Sequence, residues 1–154
     1  MSSAAENVSD PIRQWVTFSL AGESYGIDVM SVQEVLRLTD IAPVPGAPHF
    51  VLGIINLRGS VVTVIDARTR LGLPTQEPTD VTRIVILEVA GQVMGMLVDS
   101  VAEVVEFRES DIESTPNVQS DDGAKFMGVF TRGDDLLIVV DLERFLAPDE
   151  VGAF

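Results

Sequence analysis

The residues of this chain that could do chemistry are few. His49 is the only histidine, placed between Pro48 and Phe50 in a proline-rich stretch, and there is no cysteine. No second imidazole or thiolate can complete a zinc or iron site, so no metal is expected, and a cysteine nucleophile and a disulfide framework are excluded outright. A Ser-His-Asp triad built on His49 lacks a Gly-x-Ser-x-Gly elbow, and His49 reads as a loop or packing residue. Neither a Gly-x-Gly-x-x-Gly turn nor a Gly-x-x-x-x-Gly-Lys-Ser/Thr loop is present to cradle phosphate, so no cofactor is expected. Asp99 with Glu103, or Asp121 with Asp122, could act as acid and base, but among 24 acidic residues such pairs are mostly solvated surface. No catalytic residue emerges, and binding is the default. Arg132-Gly133-Asp134 spells an adhesion tripeptide but reads better as a hairpin turn. What remains is Asn56-Leu57-Arg58-Gly59 between two apolar runs, preceded by Val32-Gln33-Glu34-Val35. Taken alone, these favour a bland reading in which Gly59 supplies a positive φ, Arg58 is solvated and Glu34 lies on the surface.

The elements that must position these residues are short strands. All eight prolines fall between apolar runs and none inside one. Val16–Leu20 alternates like a half-buried strand; Val61–Ile65, Ile84–Leu87 and Leu136–Val140 are continuous and β-branched, as strands packed on both faces are. Ala21-Gly22, Arg58-Gly59, Ala90-Gly91 and Arg132-Gly133-Asp134 separate adjacent runs at hairpin spacing, with Gly59 and Gly133 as the structural turn residues of their loops. Helices are minor. Asp66–Gly72 and Asp141–Ala147 each begin with an Asp cap. Ser110–Glu113 runs into Thr115-Pro116 and supports at most a turn, and Ser31–Leu36 fits a helical turn and a strand equally well.

Composition narrows the partners. Ten Lys+Arg against 24 Asp+Glu give a net charge of −14, with the cations spread along the chain, so nucleic acid and anionic lipid are repelled. The first ten residues have neither a basic nor an apolar leader region, and no stretch approaches the ~18 continuous apolar residues of a spanning helix. Together with the absence of cysteine, this predicts a soluble protein of the cytoplasm. Asn7-Val8-Ser9, a formal glycosylation acceptor, carries no meaning there.

The most informative feature is an internal repeat. A shift of 69 residues lays Val16–Leu36 on Val85–Val105 with nine identities in 21 positions, where chance allows about one or two. Gly53 and Asp66 meet Gly128 and Asp141 at a shift of 75, and Arg58-Gly59 meets Arg132-Gly133 at 74, which places a one-residue indel at the turn. The expected organisation is an N-terminal tail over 1–12 and one domain over 13–147. That domain divides into a first barrel at 13–73, a linker at 74–80 and a second barrel at 81–147, with a C-terminal tail at 148–154. Units this short are expected to close their sheets, since closure removes exposed edges. One continuous sandwich with chance similarity is the competing picture.

Several pieces, in order, resemble the CheW family of bacterial chemotaxis coupling proteins: Phe18–Asp28, Val32–Val35, Pro48–Gly59, Val64–Asp66 with Arg68, and Gly95–Val101. The resemblance spans Trp15 to Leu146. Where the family usually has proline and leucine, this chain has Thr63 and Ala67, which bears on local packing. No receiver, phosphotransfer or ATPase segment accompanies the domain, unlike in CheV or CheA. The resemblance implies an all-β fold of two SH3-like five-stranded barrels and a non-catalytic scaffold. Its implied partners are the cytoplasmic tip of methyl-accepting chemoreceptors and the regulatory domain of the histidine kinase CheA, reached within membrane receptor arrays without insertion into the membrane. By position it implies receptor or kinase contact by Val32, Glu34, Asn56, Arg58 and Val104, with Glu34 and Arg58 foremost. Their repeats, Glu103 and Arg132, lack the Asn-Leu context, so symmetry of fold need not mean symmetry of binding. Two alternatives stand beside this: the same adaptor in a pilus-motility or other chemosensory-like pathway, and a small-ligand or enzymatic β-barrel using Asp99 or Glu103.

Overall fold

A computed structural model of the chain describes residues 10–114 and 126–146. The start of the expected N-terminal tail, the Asp121–Asp122 pair and the C-terminal tail lie outside these residues. Ten strands dominate: β1 (Ile12–Leu20), β2 (Glu23–Asp28), β3 (Val32–Arg37), β4 (Val51–Leu57), β5 (Ser60–Asp66), β6 (Arg83–Val89), β7 (Gln92–Val98), β8 (Ser100–Arg108), β9 (Phe126–Arg132) and β10 (Asp135–Val140). Two short helices, α1 (Ala67–Arg70) and α2 (Leu142–Leu146), follow β5 and β10. Asp66 caps α1 by accepting the Arg68 N–H at 3.2 Å. The ambiguous stretch after Asp28 resolves as both readings in succession, a 3₁₀ turn over Val29–Ser31 and then β3. Glu109–Asp111 forms the single turn expected near Ser110, with Asp111 accepting the Arg108 N–H.

The strands form two five-stranded sheets, ordered β8-β1-β2-β10-β9 and β3-β6-β7-β5-β4. Replacing each strand by its repeat partner (β1 by β6, β2 by β7, and so on) converts one order into the other, so the repeat is a pseudo-twofold relation. The pairing departs from the expected succession of a barrel at 13–73 followed by one at 81–147. Each half of the sequence gives two strands to one sheet and three to the other. The reason is the length of the crossovers. A single residue, Asp99, separates β7 from β8, and a tight hairpin needs two, so the chain cannot reverse and passes into the other sheet. The equivalent β2–β3 junction is one 3₁₀ turn.

Three apolar clusters follow. Trp15, Val105, Phe107, Leu137 and Val139 fill the first sheet; Ile55, Val62, Val64, Ile84 and Ile86 fill the second. The largest cluster lies between the sheets and is assembled from repeat-related pairs such as Val16 with Val85, Phe18 with Leu87, Tyr25 with Met94 and Ile27 with Met96. Ile84 and Ile86 therefore face one cluster while Val85 and Leu87 face another, which is why these runs are apolar at every position. Ala67, one of the two departures from the family pattern, is fully buried in the central cluster, and Thr63 sits in β5 between β4 and β7.

Edge strands β4 and β9 are each closed by a bridge, Ala42 to Ile54 and Glu113 to Val129. The covering chain passes so close that a Cβ at Gly53 or Gly128 would run into the carbonyl oxygen of Ala42 or Glu113, and both glycines have φ near +150°.

Candidate functional site

Each sheet curls until residues at its two edges meet. In the second sheet, Glu34 on edge strand β3 receives both terminal nitrogens of Arg58, which follows edge strand β4. The two-residue β4–β5 turn holds Arg58 at φ 49° and Gly59 at φ 87°, so a bulky cation occupies a left-handed position that usually goes to Asn, Asp or Gly. Asn56 stabilises that turn by accepting the Gly59 N–H on Oδ1 at 2.9 Å. The Asn-Leu-Arg-Gly run thus has a local logic: Asn56 closes the turn, Arg58 points across the sheet opening, and Gly59 completes the reversal.

Hydrogen bonding and the charge of Arg58 hold the Glu34 carboxyl below its usual range, and Glu34 in turn raises the Arg58 guanidinium. The pair is open to water, with the Arg58 side chain 69% exposed. Around it lie Val32, half-buried against the central cluster, and the exposed Val35 and Val61. A bidentate charge pair flanked by exposed aliphatic side chains offers directional contacts beside buriable area, the chemistry that protein recognition uses.

Val32, Glu34, Asn56, Arg58 and Gly59 thus share the second sheet. Val104 stands apart on β8, an edge of the first sheet, where it is 53% exposed; its repeat partner is Val35. Gly133 lies in the β9–β10 turn at φ 62°. Glu103, the repeat partner of Glu34, is also paired across its sheet: Arg132, at the strand position corresponding to Leu57, donates to it at 2.9 Å.

The carboxylates of the enzymatic alternative are engaged separately. Glu103 meets Arg132, while Asp99 takes two hydrogen bonds from Arg68, at 2.8 and 2.7 Å. Those bonds, together with the Ala21 N–H, hold the Asp99 carboxyl below its ordinary value. His49 is exposed and packs edge-on to buried Phe50, whose ring carries the Arg70 guanidinium at 4.5 Å. Among the described residues no three His, Cys, Asp or Glu side chains are placed to hold a metal ion, and no helix is long and apolar enough to cross a membrane.

The Arg68–Asp99 tie has no foreshadowing in residue types alone. In the repeat Arg68 aligns with Glu143 and Asp99 with Met30, so the tie belongs to one half alone, but with many other mismatches in both segments nothing in the sequence singles this pair out.

Residues 14–150 match the family model described as the CheW-like domain. The chain is 32% identical to the chemotaxis protein CheW of Rhizobium meliloti, covering 97% of each chain, and 36% identical to that of Treponema pallidum, covering 94% of this chain and 88% of the relative. Among solved structures it is similar to the scaffolding protein TtCheW of Thermoanaerobacter tengcongensis, with a TM-score of 0.80 and 38% identity over 88% of this chain and 92% of the other.

Proposed function

Because this chain belongs to the CheW family and so serves as a chemotaxis adaptor, we propose that it couples the cytoplasmic tip of methyl-accepting chemoreceptors to the regulatory domain of the histidine kinase CheA. In this reading it resides in the cytoplasm and reaches the membrane only through its partners. Val32, Glu34, Asn56, Arg58 and Val104 supply the contacts.

The observation that carries the reading is the Glu34–Arg58 pair spanning the open edge of the second sheet, held by the Asn56-closed turn and bordered by exposed valines. A scaffold needs apolar surface for affinity and a few fixed charges for register and rejection of wrong partners, and both are present. A helical receptor tip would lay its apolar side chains on Val32 beside the charge pair and satisfy the free lone pairs and N–H groups of Glu34 and Arg58, while Val104 offers exposed apolar surface on the first sheet.

Co-sedimentation of the chain with a CheA regulatory domain and a receptor signalling fragment tests this. Recovery of all three together is expected, and failure to bind either partner overturns it.

A further inference from the structure

The two junctions where the chain crosses between sheets are equivalent by the repeat but differently built. At the β7–β8 junction, Asp99 accepts two bonds from Arg68 of α1, which extends from the second sheet, and one from the Ala21 N–H in the β1–β2 turn of the first sheet at 2.8 Å. The Asp99 N–H donates to the Ser19 carbonyl, and the Ser19 and Ser100 hydroxyls bond at 2.6 Å. Arg68 also donates to the Pro74 carbonyl and to Gln76, which fastens the segment joining the halves; its side chain is only 12% exposed. At the β2–β3 junction the corresponding residues are Met30, Glu143, Ala90 and Glu88. Met30 is 83% exposed, and Glu88 bonds Gln33 within the second sheet.

We propose that Arg68 and Asp99 are positioning residues that lock the two sheets, and with them the two sets of contact residues, at one mutual angle. The central cluster is made of repeat-related pairs, so the pseudo-twofold axis passes through it. Apolar packing there opposes separation of the sheets, but the hydrophobic attraction itself is non-directional. The Arg68–Asp99–Ala21 chain is directional and lies off the axis, since its repeat counterpart is a different set of residues. The inference rests on the adaptor reading only insofar as a fixed angle matters for holding two partners at once.

The test uses two readouts. The chain has no cysteine, so spin labels can be attached to the exposed positions Gln92→Cys in the second sheet and Thr131→Cys in the first. Pulsed electron spin resonance is expected to give one narrow distance in the full chain and a distribution about twice as wide in Asp99→Asn and in Arg68→Met. Met30→Ala, at the other junction, should leave it narrow. In co-sedimentation, Asp99→Asn should keep each pairwise interaction with the CheA regulatory domain or the receptor fragment while recovery of the three-part complex falls roughly fivefold. Asp99→Asn is nearly isosteric, so it carries the test if Arg68→Met fails to fold. An unchanged distance distribution in folded Asp99→Asn overturns the proposal, as does equal widening in Met30→Ala. Failure of the parent chain to bind its partners would count against the adaptor reading and leave the distance measurement to decide this one.

Discussion

Glu34–Arg58 and Glu103–Arg132 join the same two edges of the two sheets, yet they are not equivalent pairs. In the second sheet the arginine lies inside the turn, at φ 49°, and both oxygens of its partner are engaged. In the first sheet the arginine is the last residue of β9, the turn is Gly133-Asp134, and one contact joins the pair, whose carboxylate side chain is 60% exposed against 28% for Glu34. Thr131 replaces Asn56, so no side-chain amide closes that turn. The one-residue indel expected at this turn is absent: the two hairpins correspond residue for residue at a shift of 75, so Arg132 stands where Leu57 does. Displacement of the arginine by one position made one pair held and directional and left the other a solvated surface pair. Duplication fixed the architecture twice but built the held charge pair once.

The strongest test of shared architecture is at Gly53 and Gly128. Replacing either with Ala forces a Cβ into a covering backbone at a positive φ, and each is expected to destabilise the fold by about 3 kcal/mol, read as a shift in the denaturant midpoint. A large loss at one site with none at the other would break the structural equivalence of the halves. The sharpest test of unequal binding comes next. Arg58→Glu places two carboxylates edge to edge and is expected to weaken receptor-fragment binding on the order of 100-fold with a native circular dichroism spectrum. Arg132→Glu should change it by no more than about twofold, since an exposed single-contact pair contributes little. Equal losses would end the claim of asymmetry. Asn56→Ala should cost about 1 kcal/mol of stability through the lost turn bond and weaken binding less than Arg58→Glu.

Much of this was legible in the sequence because it is written in local rules. Four glycine-containing turns and uninterrupted β-branched runs such as Ile84–Leu87 give strands buried on both faces, and the shift of 69 gives the duplication. The exchange of strands between halves was not legible. Val16 and Val85 are interchangeable in chemistry, so the pattern that specifies a five-stranded unit is satisfied by strands from either half, and only the one-residue crossover at Asp99 decides which. Asn56, Glu34 and Arg58 could be singled out through their resemblance to a family, but residue type alone left Arg58 a solvated turn residue. Its pairing depends on the curl that brings β3 and β4 together across 24 residues of chain. Arg68 with Asp99 stayed hidden for the same reason, 31 residues apart and joined only by the crossover.

The smallest expected effect separates the two depressed carboxyls by their surroundings. Asp99 is lowered chiefly by its hydrogen bonds from Arg68 and Glu34 chiefly by those from Arg58. In both cases the folded group binds a proton more weakly than the unfolded chain does. Its contribution to stability is therefore complete above the ordinary carboxylate range and is lost as pH falls through the folded value. The arginine facing Asp99 is mostly sequestered, whereas the one facing Glu34 is largely in water, so salt should screen the second pair and spare the first. Denaturant midpoints followed from neutrality down to about pH 3 should fall less steeply in Asp99→Asn than in the parent, at low and high salt alike. Glu34→Gln should flatten the profile only at low salt. A parent profile that Asp99→Asn leaves unaltered would mean that the tie at the β7–β8 junction adds nothing to the folded state, and that the two charge pairs differ in place but not in strength.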